Sequence, residues 1–582
     1  MAAVAAAVLS VGLLSTGATA AEDPRIDLEA GYLDAEEAAR NIERLANVPR
    51  QGPFDSEPGN FGFLNSDLAF TGDRAIMGSF HGFQVYDISD PADPRLTSSF
   101  VCPGGQGDVS VYGDLLFMSV EETRGRIDCG TQGAPGAVNP ERFRGVRIFD
   151  ISDLDNPVQL EGVQTCRGSH THTLVTDPND DANIYVYNSG TAGVRSAEEL
   201  PGCEDHPLTT EPVTDGNPTQ WRIDVIKVPL ASPNDAEIVN QPRIFSDPDT
   251  GAFNGLTNTQ AGALHPSGTP YSPLPNTNPC HDITAFPDLG IAAGACQGDG
   301  ILLDISDPAN PERLDAVSDP NFSYWHSATL SNDGKTVVFT DEWGGGVAAR
   351  CRVTDRPEWG ADAIYDINRN GKMRFASYYK LPVPQTDTEN CVAHNGSLVP
   401  VPGRDILVQA WYQGGLSVID FTDSSNPKEI AFFDRGPVSA DQLVLAGLWS
   451  TYWYNGNVFG SEIGRGFDSF ALRKSKHMSR DEIAAASQVQ LDEFNAQMQT
   501  TITWEPSFEV AGARLDQLER DGKIKAGKLK AVRKLFDNAR RVADRSPRAA
   551  VALLRSSAAL LDRKGLQGEA RQALLDLART LR

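Results

Sequence analysis

The chain has 582 residues and a formal net charge of −27, from 78 Asp and Glu against 51 Lys and Arg. So acidic a chain is unlike a nucleic-acid-binding protein, and its length suits one large domain with a smaller one. The charge is uneven, because residues 511–582 carry 18 Lys and Arg against 8 Asp and Glu, a net +10, and the other 510 residues carry −37. We interpret the basic tail as ordinary solvated helix faces, with docking on the acidic body or on an anionic surface as the alternatives.

The first 39 residues predict export and a leader. Residues 1–21 are uncharged, apolar and rich in small residues, and the run ends in Ala18, Thr19 and Ala20, a pattern typical of a signal peptide. Because no later apolar run reaches membrane length, we expect a secreted, extracellular protein without a transmembrane segment. Residues 22–39 are acidic and Ala-rich and predict a short helix or a mobile leader.

One motif recurs through most of the chain. Residues 300–311 read GILLDISDPANP, and related runs occupy 82–94, 145–157 and 415–427. In each copy a Gly opens a β-prone run, and an Asp- and Pro-rich turn closes it. Weaker copies extend the series to seven positions, which are Asp87, Asp150, Lys227, Asp304, Asp366, Asp420 and Ala471. Four short strands per copy, repeated radially, predict a mainly β fold, a seven-bladed β-propeller.

The motif resembles the LVIVD repeat, a propeller-forming repeat of secreted and surface proteins. The resemblance covers residues 40–472 and is poorest where Lys227 and Ala471 replace the Asp. It implies architecture far more than activity. We expect residues 41–49 to supply the outer strand of the last blade, since the seventh copy lacks its own fourth strand. The repeated Asp after each strand is interpreted as a turn-capping group rather than a calcium ligand.

All eight cysteines lie in the predicted propeller, and an even number in an exported chain favours disulfides. Four precede the first strand of a blade and four lie near the turn between a second and a third strand, and in a propeller these two kinds of loop share one face. The predicted pairs are Cys102–Cys129, Cys166–Cys203, Cys280–Cys296 and Cys351–Cys391.

Beyond residue 472 the period becomes helical. Ser479 and Glu482 form a capping box that predicts a helix to about Gln499, within a helical linker over 473–510. Residues 511–582 predict three or four amphipathic helices and resemble the small module called FIMAH, found at the C-termini of exported proteins. This resemblance implies an interaction role rather than catalysis.

Histidines recur in register in four consecutive copies. His170, His281, His326 and His394 align at the start of the first, innermost strand, so their rings should converge at one mouth of the central channel. His172, two residues after His170, should face the same side of its strand. Imidazoles suit copper, zinc or iron, so the five predict a transition-metal site. The alternatives are a structural role in a wet channel and catalysis without a metal.

Other histidine and acidic residues are weaker candidates for metal ligands. His81, Glu342 and Glu462 lie near second-to-third-strand turns on the same face and are candidate outer ligands, whereas His206, His265 and His477 fall in insertions or the linker. We find no motif of a serine hydrolase, P-loop or zinc protease.

Two functions follow. The first is a metal-dependent protein, an oxidoreductase or hydrolase if it is an enzyme. The second is a non-enzymatic platform that binds an extracellular protein or a cell-surface polymer. Neither the substrate nor the oligomeric state can be assigned from the sequence.

Overall fold

A computed structural model describes residues 23–258 and 277–581. Strands dominate as far as residue 472, and helices follow. The chain opens with two strands, β1 (Glu37–Arg40) and β2 (Ile42–Val48). Four short 3-10 helices lie among the strands that follow, at Gly52–Phe54, Phe61–Phe63, Pro233–Asp235 and Pro287–Leu289.

Antiparallel units of four short strands then repeat along the chain. The first is β3 (Asn65–Thr71), β4 (Arg74–Ser79), β5 (Gly82–Asp87) and β6 (Arg95–Val101). The next is β7 (Val109–Tyr112), β8 (Leu115–Val120) and β9 (Gly145–Asp150), with the outer position shared by β10 (Val158–Gln159) and β11 (Val163–Gln164). It is followed by β12 (Thr171–Asp177), β13 (Asp180–Ser189), β14 (Asp224–Pro229) and β15 (Glu237–Asn240).

The later units follow the same order. They are β16 (Asp282–Phe286), β17 (Ile291–Cys296), β18 (Asp299–Asp304) and β19 (Glu312–Val317), then β20 (Trp325–Leu330), β21 (Thr336–Asp341), β22 (Asp362–Ile367) and β23 (Met373–Tyr379). After them come β24 (Asn395–Val399), β25 (Ile406–Ala410), β26 (Leu416–Asp420) and β27 (Lys428–Arg435), and finally β28 (Leu448–Tyr454), β29 (Asn457–Glu462) and β30 (Gly466–Leu472). Within each unit, strands consecutive in sequence are neighbours, except that β10 and β11 both pair with β9. A parallel pairing of β24 with β28 joins the last two units.

The repeat motif has a local physical cause. Gly82 opens β5 at φ +142°, and a Cβ there would overlap the carbonyl oxygen of Phe100 on β6; Gly145 has the same relation to Val163. At the other end of β5, the Asp87 carboxylate accepts a hydrogen bond from the Ser89 amide at 3.0 Å. The corresponding Asp residues of the other strong copies make the same bond, so the interpretation of these carboxylates as turn caps is confirmed.

Both N-terminal strands complete later sheets. β2 pairs with β30 and supplies its missing fourth strand, as predicted, and the first and last units share one apolar cluster that includes Leu68, Phe70, Tyr452 and Phe459. β1 adds to the edge of β27. The prediction of a helix or mobile leader over 22–39 is therefore wrong for the described part, which consists of turns followed by β1. Arg25 fixes it, because its buried guanidinium pairs with Glu429 at 2.9 Å.

The disulfides are the four predicted pairs, Cys102–Cys129, Cys166–Cys203, Cys280–Cys296 and Cys351–Cys391. In the first three pairs, a cysteine just before the first strand of a unit is joined to a cysteine at or after the end of the second strand of the same unit. Cys351–Cys391 joins the unit of β20–β23 to that of β24–β27. They hold the same face of the fold on which the candidate site lies.

The C-terminal region contains α1 (Arg480–Ser487), β31 (Glu493–Asn495), α2 (Phe508–Asp521), α3 (Ala526–Val542), α4 (Pro547–Ala559) and α5 (Gly565–Thr580). The capping box of Ser479 and Glu482 is present, but the helix ends at Ser487 and not near Gln499. The prediction of a largely helical linker over 473–510 is thus wrong, because β31 pairs with β3 and Phe494 packs into the cluster of Phe70 and Tyr454. Helices α2 to α5 enclose a core of their own. No helix within the described ranges is long and apolar enough to cross a membrane.

Candidate metal centre

Four histidine rings form one stack at the starts of four first strands. His170, His281 and His394 immediately precede β12, β16 and β24, and His326 is the second residue of β20. The ring centroids of His170 and His281 are 4.3 Å apart, those of His281 and His326 3.9 Å, and those of His326 and His394 4.2 Å. All four residues are buried. The convergence expected from their register is therefore present.

In three of these rings, Nδ1 forms a hydrogen bond with an oxygen atom outside the imidazole stack. The pairs are His170 Nδ1 with Glu121 Oε1 at 2.5 Å, His281 Nδ1 with the carbonyl oxygen of His326 at 3.2 Å, and His394 Nδ1 with the carbonyl oxygen of Trp449 at 2.5 Å. Carboxylate and carbonyl oxygens only accept, so in each pair Nδ1 donates. This leaves Nε2 of each ring directed to the interior of the cluster, and His170 Nε2 and His281 Nε2 are 2.7 Å apart. Metal-ligating histidines are characteristically oriented in this way.

Glu342 completes the cluster. Its carboxylate oxygens lie 3.8 Å from His326 Nε2 and 3.7 Å from His394 Nε2. Ligand atoms of His281, His326 and Glu342 all fall within 4.8 Å of one another, so this group can hold a metal ion. Tyr412 orients the carboxylate by donating its hydroxyl proton to Oε1 at 2.5 Å.

Burial dominates the electrostatics of the cluster. It lowers the pKa of His394 to about 3, and burial together with the charges of neighbouring rings lowers the pKa of His281 and His326 well below the usual value. His170 differs, because burial alone would lower its pKa but the adjacent Glu121 charge and hydrogen bond raise it overall. Burial raises the pKa of Glu342 to about 7. Neutral imidazoles with free Nε2 lone pairs are the ligand form of histidine.

A cavity of about 190 Å³ adjoins the rings. His170, His281, Tyr324, Glu342 and Tyr412 supply its polar wall. The rest is largely apolar and comes from Phe61, Leu64, Phe80, Val347, Leu445, Trp449 and Ile463. A small molecule in this cavity would therefore meet both the imidazoles and the Glu342 carboxylate.

His172 lies apart from the four stacked rings. Its Nδ1 is 2.8 Å from Ser119 Oγ and 3.3 Å from Asp108 Oδ2, on the neighbouring unit. Its Nε2 is buried without a hydrogen-bond partner among the described residues. The structure thus separates His172 from the group with which the sequence placed it.

The other sequence candidates occupy different surroundings. His81 stacks on Phe63 with centroids 4.3 Å apart, and Glu462 is engaged by Arg465 and by the Gly447 amide. His206 contacts the Trp221 ring, and His477 lies in the turn before α1. His265 is outside the described residues.

Sequence reasoning missed Glu121, Tyr324 and the role of Tyr412. A signal for Glu121 existed, because Glu121 directly follows the second strand β8 as Glu342 directly follows the second strand β21. Aligning second-strand ends as well as first-strand starts would have placed both carboxylates on the site. Tyr412, at φ +53° in the turn after β25, has no such counterpart.

The family model of the LVIVD repeat matches residues 66–101, which spans the first four-stranded unit and supports a β-propeller-type repeat protein. No curated protein matches the sequence.

Among solved structures, the chain is similar to a periplasmic gluconolactonase of Pseudomonas aeruginosa, with 14% identity, 70% of this chain and 97% of that chain covered, and a TM-score of 0.38. It is also similar to a protein from Lactobacillus plantarum, with 10% identity, 64% and 83% coverage and a TM-score of 0.38. A functionally unknown protein from Desulfotomaculum acetoxidans gives 12% identity, 66% and 88% coverage and a TM-score of 0.36. Likenesses this distant carry no information on activity.

Proposed function

We propose that this chain is an exported, seven-bladed β-propeller whose four stacked histidines and Glu342 bind one transition-metal ion. The observation that carries the proposal is the inward direction of three Nε2 atoms, each set by an Nδ1 hydrogen bond to Glu121 or to a backbone carbonyl. Hydrogen bonding that merely filled a channel would not need three rings oriented alike. The propeller would cover residues 40–472, and residues 1–21 would be the signal peptide, consistent with four disulfides.

The residues present fit such an ion. Buried nitrogen atoms of His326 (Nδ1) and His394 (Nε2) have no hydrogen-bond partner among the described residues, although such atoms are normally satisfied. Four imidazoles with one carboxylate are a donor set that suits copper, zinc or iron. His170, His281, His326, His394 and Glu342 would hold the ion, whereas His172 would not be a ligand.

The adjoining cavity favours catalysis over a purely structural ion. When bound, the metal would supply Lewis acidity or redox chemistry at the cavity wall. Tyr412 donates a hydrogen bond to Glu342 next to this wall, which would orient the carboxylate toward the ion. The reaction class would be that of a metal-dependent oxidoreductase or hydrolase acting on a small, partly apolar substrate.

Elemental analysis of the purified protein tests the proposal. We expect near-stoichiometric copper, zinc or iron in the wild type and its loss in the His281→Ala/His326→Ala double variant. A matched control is His206→Ala/His477→Ala, which removes two imidazoles outside the cluster and should keep the metal. Wild-type protein free of metal after reconstitution with each of the three ions would contradict the proposal and favour the non-enzymatic platform.

The C-terminal helices support a second, separable role. We propose that residues 511–582, similar to the FIMAH module, dock on an anionic surface polymer. Their net charge of +10 supports this, and Lys530 and Lys534 are exposed on one face of α3. The Lys530→Glu/Lys534→Glu variant should elute from a heparin column at lower salt than the wild type and retain its metal. Unchanged elution would contradict this role.

A further inference from the structure

The cavity beside the imidazole stack has a wall of aromatic rings. Phe61 lies in the short 3-10 helix before β3, Phe80 directly follows β4, and Trp449 is the second residue of β28. The ring centroids of Phe61 and Phe80 are 4.9 Å apart, those of Phe80 and Trp449 6.3 Å, and those of Trp449 and Tyr412 6.1 Å. All four rings line the cavity. Since Tyr412 also contacts Glu342, this row of rings ends at the candidate metal centre.

Successive rings in this row meet edge to face. The interplanar angles are 75° for Phe61 with Phe80, 80° for Phe80 with Trp449 and 84° for Tyr412 with Trp449. Rings that cross in this way present both π faces and hydrogen-bearing edges to their surroundings, and another aromatic ring packs favourably on both. A saturated ring of the same size gains from burial alone. The wall therefore favours an aromatic ligand over an aliphatic one.

The size of the cavity suits a single ring. Its volume is about 190 Å³, and an apolar protein cavity of about 150 Å³ holds one benzene molecule. The cavity opens to solvent at one edge, where Phe61 is 51% and Val347 50% exposed, whereas Phe80 and Trp449 are 3% and 9% exposed. A monocyclic compound with one or two small substituents therefore fits, and it can enter past Phe61 and Val347.

The side of the cavity next to the imidazoles is polar. Tyr324 and Glu342 both line it. The Tyr324 hydroxyl accepts a hydrogen bond from Gln297 Nε2 at 3.0 Å, which leaves its own proton for an acceptor in the cavity. A hydroxyl group on the ligand both donates and accepts, so it can bond with the Glu342 carboxylate and with Tyr324. A fully charged ligand is disfavoured, since the remaining wall is apolar.

We propose that the cavity binds a monocyclic phenol, with its ring against Phe80 and Trp449 and its hydroxyl group beside Glu342 and Tyr324. As the substrate class of a metal-dependent enzyme, this inference rests on the proposed function; as a binding site, it rests on the aromatic wall and the volume alone. Aromatic walls also attract organic cations. A metal ion held by the imidazoles would repel a cation in the same cavity, whereas a neutral phenol suits both walls.

Isothermal titration of the full-length protein with phenol and with cyclohexanol, a saturated ring of similar size, tests the proposal. The titrations are run on metal-loaded protein and again after chelator treatment. We expect phenol to bind about 3-fold to 10-fold more tightly than cyclohexanol. Equal affinities in both states, or tighter binding of tetramethylammonium than of phenol, would overturn the proposal. A preference for phenol in protein that takes up no metal would support the phenol site and contradict the metal-dependent function, so the two failures are distinguishable.

Substitutions of phenylalanine locate the bound ring. Phe80→Leu keeps an apolar side chain but removes an aromatic ring, and it should lower the phenol affinity by about 3-fold to 10-fold while the cyclohexanol affinity changes by less than about 2-fold. Phe375→Leu is the control, because Phe375 is 42% exposed on the outer strand β23 and packs on Tyr378 with centroids 4.6 Å apart. If Phe80→Leu does not fold, the half-exposed Phe61 takes its place as Phe61→Leu, with a loss of about 2-fold or more. Phenol affinity equal to that of the Phe375→Leu control would show that the ring does not bind in this cavity.

Discussion

Nε2 of His170 and Nε2 of His281 lie 2.7 Å apart, while the Nδ1 atoms of both rings are engaged by oxygen acceptors on the opposite side. The distance is that of a hydrogen bond, so one proton lies between the two Nε2 atoms when no metal is bound. The Glu121 charge favours its residence on His170. A metal ion would take the place of this proton, and binding should release it to solvent.

Glu121 should set metal affinity without being a ligand. The Glu121→Gln variant retains an oxygen near His170 Nδ1 but loses the charge that makes the ring a stronger donor. We expect the metal affinity to fall by about 10-fold to 100-fold, measured by competition with a chelator. Glu122→Gln is the control, because Glu122 pairs with Arg124 instead. Equal affinities of the two variants would show that Glu121 has no such role.

Alanine substitutions at two adjacent glycines distinguish the effect of backbone strain from the effect of a side chain that intrudes into the site. Gly345 and Gly346 have φ of +67° and +65°, so alanine costs about 1–2 kcal/mol at either position. A Cβ at Gly346 would overlap the Tyr412 hydroxyl and lie 2.8 Å from Glu342 Oε1, whereas a Cβ at Gly345 meets nothing within 4 Å.

The Gly346→Ala variant should therefore lose metal affinity, and Gly345→Ala should keep it at a similar thermal stability. Chelator competition and a melting curve on each variant measure the two quantities. If both variants bind metal as the wild type does, the Tyr412–Glu342 contact is not part of the site.

Much of the β fold can be predicted from the sequence because the residues that determine it act locally. A Gly is needed where a side chain would overlap the adjoining strand, as at Gly82, and an Asp is needed where a carboxylate caps the next turn, as at Asp87. Both recur at fixed spacing, so the repeats, the pairing of β2 with β30 and the register of the four histidines follow from the sequence. His172 was misplaced because alternation along one strand does not say which neighbouring unit a side chain meets.

The features that were not predicted depend on contacts between residues that are distant in sequence. Residues after Ser487 have helical patterning, but Leu491 and Phe494 pack their partly buried side chains against the cluster of Tyr452 and Tyr454, which overrides local propensity. Gln497 reaches Asp67 over 430 positions, a relation that no local pattern encodes. The contact between Gln497 and Asp67 therefore could not be predicted from the sequence.

The ion pairs of Glu482 link α2 to the strand region, and they should stabilise the fold in a pH-dependent way. Its fully buried carboxylate lies 3.0 Å from Arg404, in the loop between β24 and β25, and 2.5 Å from Arg520 on α2. Burial would raise its pKa, but the Arg404 and Arg520 charges and hydrogen bonds lower it below 4.5 overall. A lowered folded-state pKa stabilises the fold above the unfolded value and loses this contribution as the pH falls through the folded value.

The Glu482→Gln variant should thus lower the free energy of unfolding by about 3 kcal/mol at pH 7. The difference from the wild type should shrink as the pH falls below about 4.5. Urea unfolding at pH 7 and at lower pH measures it. Glu509→Gln, which breaks the surface pair with Arg540, should cost less than about 1 kcal/mol. A pH-independent difference for Glu482→Gln would contradict the assignment.

The Cys280–Cys296 disulfide should serve both stability and the site. It closes a separation of 16 residues, so the Cys280→Ala/Cys296→Ala variant should lose about 3 kcal/mol of unfolding free energy. Cys280 directly precedes His281, and freeing it should also weaken metal binding, which is measured by chelator competition. The matched control is Cys102→Ala/Cys129→Ala, a separation of 27 residues in units without a stacked histidine. It should lose a similar free energy in urea unfolding but less metal affinity, because its loop reaches the site only through Glu121, which is not a ligand. An equal loss of metal affinity in both variants would mean that general destabilisation, and not the restraint on His281, accounts for the effect.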